Sequence, residues 1–70
     1  MTYVFAKDRR FLRCEIDPGQ PSSLTVIDPG GRKHTERHSS TEDLEARWTE
    51  LRTHLVRDGW IGPFGREARL

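Results

Sequence analysis

Seventy residues with a formal net charge of +1 make one small domain. A chain of this size buries only about 60% of the surface its unfolded form exposes, so its core is small and a partner's surface is a natural supplement to it. Apolar and charged residues each make up 33% of the chain, yet the apolar ones fall in periodic clusters, which excludes intrinsic disorder.

Residues 2–7 and 10–16 alternate apolar and polar side chains, which predicts two strands joined by a tight turn at Asp8 and Arg9. A two-residue or a four-residue loop gives the same pairing. Tyr3 and Phe5 then share a core face with Leu12, Cys14 and Ile16, while Val4 and Ala6 share the other face with Phe11, Arg13 and Glu15. The stretch Asp17-Pro18-Gly19-Gln20-Pro21 removes ladder donors and favours turns, so it reads as a loop. Residues 24–28 form the third strand. Asp28-Pro29-Gly30-Gly31 is the strongest turn signal in the chain, because Pro29 sets φ for a turn and the glycines tolerate positive φ. Residues 32–38 return as a fourth strand without a large apolar residue, an edge strand guarded by charges, with a polar loop as the alternative.

The clearest element is a helix that starts near residue 41. Ser39, Ser40 or Thr41 can cap it, and Glu42, Asp43 and Glu45 suit the positive end of its dipole. Leu44, Trp48, Leu51 and Leu55 make one apolar stripe, and Asp43 with Arg47 and Glu50 with His54 are spaced to pair along the exposed side. Gly59 sits where a left-handed residue ends a helix, and Trp60 then packs back on Leu55. Trp60, Ile61 and Phe64 stand among glycines at the chain's end and need burial against something. For Phe64 that is either the open edge of the core or a neighbouring subunit. Residues 65–70 read as a flexible tail beyond a single domain of residues 1–64.

The expected fold class is α+β, a four-stranded antiparallel meander with one C-terminal helix on one face (β-β-β-β-α). In its order of elements the chain resembles the single-stranded DNA-binding domains of the transcriptional coactivator and Whirly families. The resemblance is one of topology and carries no residue positions over.

One cysteine cannot form an internal disulfide, which points to a reducing compartment, and no apolar stretch approaches a leader's core or a membrane span; the cytoplasm is the expected location, with no membrane partner. Residues 1–40 carry seven cations against five carboxylates, an excess that permits a polyanionic partner without demanding one. His34 and His38 have the spacing of a helical metal pair, but on a strand four residues hold the rings about 13 Å apart, so no metal site is expected. Cys14 falls on the core face as a small apolar residue. Nothing in the chain supplies a phosphate-binding loop, a nucleophile with an oriented base, or a cofactor site, so no enzyme is expected.

The informative surface is the sheet face turned away from the helix, expected to show Val4, Ala6, Phe11, Arg13, Ile27, Arg32 and His34. An aromatic ring among cations suits stacking on a base with phosphate neutralisation, and equally an interface core with an arginine rim. The first reading is a small module for single-stranded nucleic acid, with Phe11 as stacker, Lys7, Arg9, Arg10, Arg13 and Arg32 as phosphate contacts, and His34 beside them. The alternative is a non-catalytic interaction module that docks on a protein or on its own copy, with Trp48, Trp60 and Phe64 as candidate dimer contacts.

Overall fold

The computed structural model describes residues 1–19 and 21–65. The elements follow in the order β1 (Thr2–Lys7), β2 (Arg10–Asp17), β3 (Ser22–Ile27), β4 (Lys33–His38), α1 (Thr41–Arg57) and β5 (Ile61–Gly65). The strands form one antiparallel sheet in spatial order β4-β3-β2-β1-β5, and α1 packs on one face of it. The expected α+β architecture is present, enlarged by a fifth strand.

Lys7 pairs with Arg10 across a two-residue turn in which Asp8 (φ 52°) and Arg9 (φ 66°) are both left-handed. Two-residue hairpin loops need this mirror-image turn, because its twist matches that of the flanking strands. Tyr3 opposes Cys14 and Phe5 opposes Leu12, so the core face is the one the alternation predicts. Phe5, Leu12, Cys14, Ile16, Leu24, Leu44 and Leu55 are buried, and Tyr3, Val26, Trp48, Leu51 and Trp60 pack around them. Burial alone pushes the Cys14 thiol up to about 11, so it is an un-ionised core group at neutral pH.

β4 is paired along its whole length, from Ile27 with Lys33 to Ser22 with His38. It lacks apolar residues because its core-side position is filled by an ion cluster. Glu36 receives three hydrogen bonds of 3.1 to 3.2 Å from Arg47 of α1 and lies 3.2 Å from His38 Nε2. Arg47 also holds Glu50 at 3.0 Å, so it turns to β4 and to the next turn of its helix rather than to Asp43.

α1 is capped by Ser40, whose side chain accepts the Asp43 N–H at 3.1 Å. Its end is the predicted lock. Gly59 has φ +102°, the Gly59 N–H donates to the Val56 carbonyl and the Trp60 N–H to that of Leu55, which is the Schellman pattern. Trp60 is thereby returned to the core, and the chain leaves the helix heading along β1.

Gly62 and Pro63, residue types that favour a turn, instead lie inside β5 as an irregularity of the strand. Ile61 pairs with Ala6 and Phe64 with Val4, so three steps of β5 match two of β1. The extra residue is a bulge. Gly62 has φ +148°, and a Cβ there would stand 2.8 Å from the Val4 carbonyl oxygen, so only glycine fits. Gly65 closes the strand; residues 66–70 of the expected tail lie outside the described residues.

Candidate docking face of the sheet

The register fixes what the outer face presents. Partners across antiparallel strands share a face, so Val4, Ala6, Phe11, Arg13, Glu15, Ser23, Thr25, Ile27, Lys33, Thr35, Arg37, Ile61 and Phe64 all stand opposite the helix. One row crosses the sheet as Phe64, Val4, Arg13, Ile27 and Lys33. Next to it, toward the Asp8–Arg9 turn, Ile61, Ala6 and Phe11 form a second row.

A regular strand would send Ile61 and Phe64 to opposite faces, three residues being an odd spacing. The bulge puts both on the outer face. There Phe11, Ile61 and Phe64 are 63%, 65% and 56% exposed, gathered around the half-buried Val4 and Ala6. Single exposed apolar residues are ordinary; three large ones in one patch are what marks a contact surface. Away from the turn the face becomes polar. Glu15 pairs with Arg13 at 3.4 Å, Thr25 and Thr35 join hydroxyls at 3.0 Å, and an open hollow lies among Thr2, Glu15, Asp17, Ser23 and Thr25.

Several residues named from the sequence belong elsewhere. Lys7 is on the helix side and donates from Nζ to the Asp58 carbonyl at 2.7 Å, complementing the negative end of α1. Arg10, its pairing partner, shares that side. His34 opposes Val26 and is therefore also on the helix side, not beside Ile27. The reason is loop length. Residues 28–32 make the connection, one residue more than the even loop that would have kept His34 outward, and Asp28 closes it by accepting the N–H groups of Gly31 and Arg32 at 2.8 Å. Arg32 belongs to that loop rather than to the face, and Lys33 takes the outward place.

Phe11 and Arg13 stand on the outer face as expected, and Arg9 is exposed at the turn that borders it. Of the three candidate dimer contacts only Phe64 is presented to solvent. Trp48 lies 5.1 Å from Tyr3 in a stacked pair and 6.1 Å from Phe5 edge-on, with the Arg52 guanidinium 6.0 Å from its ring. Trp60 packs on the core. Ile61 and Phe64, expected to be covered, are the exposed ones. Lys33, Arg37 and Ile61 are members of this face that the sequence reading missed; the first two follow from loop parity, the third from a bulge with no pattern of its own.

Among the described residues no cluster of three or more His, Cys, Asp or Glu side chains is placed to hold a metal ion, and no helix is long and apolar enough to cross a membrane. No protein-family model, curated protein or solved structure matches the chain.

Proposed function

We propose that the protein is a non-catalytic docking module that contacts another protein through the outer face of its sheet. The observation that carries this reading is the cluster of Phe11, Ile61 and Phe64, exposed together around Val4 and Ala6 and flanked by Arg13. An apolar centre with an arginine at its border is the composition of an interface core and rim. The patch is built, since the bulge at Gly62 is what brings Ile61 and Phe64 to one side.

The nucleic-acid reading is kept as the second, favoured by the exposed phenyl rings of Phe11 and Phe64 beside Arg13, with Lys33 and Arg37 on the same face. It ranks lower because the cations that were to follow a phosphate backbone are divided between the two sides of the sheet. Lys7 and Arg10 point to the helix side, and Arg32 lies in the loop between β3 and β4. Fluorescence anisotropy of a labelled single-stranded oligonucleotide at about 50 and about 200 mM salt separates the two. The docking reading expects no micromolar binding at either salt. Binding that weakens steeply with salt and is lost in Phe11→Ser would overturn it in favour of the second reading.

A further inference from the structure

Phe11 on β2 and Ile61 and Phe64 on β5 flank Val4 and Ala6 of β1, so the patch covers three neighbouring strands and is two side-chain rows deep. Three strands at about 4.8 Å spacing span about 10 Å, and two rows on one face lie about 7 Å apart. That footprint is one helix wide, since an α-helix with its side chains measures about 10 Å across. A second copy of the chain is too large an occupant. Stable protein pairs bury about 800 Å² on each side, far more than this footprint offers.

The charges around the patch choose among helices. Arg13 and Lys33, the charged side chains that share its rows, are both cationic. Arg9 stands exposed at the adjoining turn, offset there by Asp8. Of the other carboxylates nearby, Asp28 is turned into its loop, where Oδ1 accepts the Arg32 N–H, and Glu15 stands one row further on in a solvent-exposed pair with Arg13 that is weak in water. Resting on the docking reading above, we infer that the patch receives one amphipathic α-helix of a partner protein, with apolar anchors on the triangle of Phe11, Ile61 and Phe64 and carboxylates along the flank that meets Arg13, with Lys33 two strands further out along the same row. Anchors at i, i+4 and i+7 of such a helix span the two rows and leave its flanks to the cations. Two faces of one sheet are then covered in the same way, the inner by α1 and the outer by the partner's helix.

The test uses the full chain labelled with ¹⁵N and two synthetic amphipathic peptides of about 16 residues, long enough to hold helix. Both carry the same leucine stripe, one with glutamate flanks and the other with lysine flanks. The glutamate peptide is expected to shift the amides of Val4, Ala6, Phe11, Ile61 and Phe64 and to bind about tenfold more tightly than the lysine peptide. Arg13→Gln combined with Lys33→Gln brings the two peptides to within about threefold of one another. Equal binding of both peptides to the unaltered protein at those amides overturns the acidic-helix inference and leaves the docking reading standing. If neither peptide shifts those amides up to about 1 mM, a limit corresponding to only about 4 kcal/mol of binding, both are overturned.

Discussion

Phe5 and Phe11 sit on adjacent strands of the first hairpin, one on each face of the sheet, and they calibrate the register on which the whole account rests. Phe5 is 0% exposed and lies edge-on to Trp48, whereas Phe11 is 63% exposed. A fully buried phenylalanine removes about 200 Å² from water, worth about 5 kcal/mol at 25 cal/mol per Å², part of which an alanine keeps. With the cavity added, Phe5→Ala should cost about 3 to 5 kcal/mol. Phe11 has about a third of its surface covered, so Phe11→Ala should cost about 1 kcal/mol. A chain of this length has about 4 to 10 kcal/mol of total stability, so the first substitution brings it close to unfolding and the second does not. Urea titration followed by the fluorescence of Trp48 and Trp60 measures both, and a small domain's slope of about 1 kcal/mol per molar converts the Phe11 loss into a midpoint shift of about 1 M. Equal losses at the two positions would refute the reasoning, because they would mean that the strands are slipped by one residue and both rings are core.

Gly62→Ala places a Cβ against the Val4 carbonyl at a backbone angle that side chains rarely adopt, so it should destabilise the protein by about 1 to 3 kcal/mol. Hydrogen exchange should show the loss concentrated in β5, and unchanged protection there would contradict the bulge. Hydrogen bonds from Arg47, opposed by burial and aided by His38, hold the Glu36 carboxyl below its ordinary 4.5 in the folded protein. Its contribution to stability is therefore complete above the unfolded value and lost as pH falls through the folded one. Stability measured from about pH 6 down to about pH 3 should fall less steeply in Glu36→Gln than in the unaltered protein, and parallel profiles would argue against the cluster. Cys14, buried with its thiol pushed up to about 11, should react with a thiol reagent at pH 8 only as fast as the protein opens. Labelling that ignores added denaturant would place that residue outside the core.

The first hairpin and the helix were legible because their signals are local. Alternation set the pairing of Tyr3 with Cys14 and of Phe5 with Leu12, and a glycine followed by tryptophan set the helix end. β4 was harder, because its core-side Glu36 is justified only by Arg47, eleven residues away on another element. The placing of His34 failed on a single loop residue, since strand parity turns over with each residue added. β5 was not legible at all. Gly-Pro within Ile61–Gly65 reads as a turn, and the segment becomes a strand only because the edge of β1 lies where the helix cap releases the chain. The candidate face shared this fate. Phe11 and Arg13 were visible in the alternation, but Ile61 and Phe64 needed the bulge to bring them there.

The most direct test of the docking surface is photo-crosslinking in the cells that make the protein, with benzoylphenylalanine in place of Phe64 or, as a control, of Thr49 on the exposed side of α1. The account predicts covalent adducts to a polypeptide from position 64 and none from position 49. Nuclease-sensitive adducts at position 64, equal polypeptide adducts at both positions, or none at position 64 would contradict it.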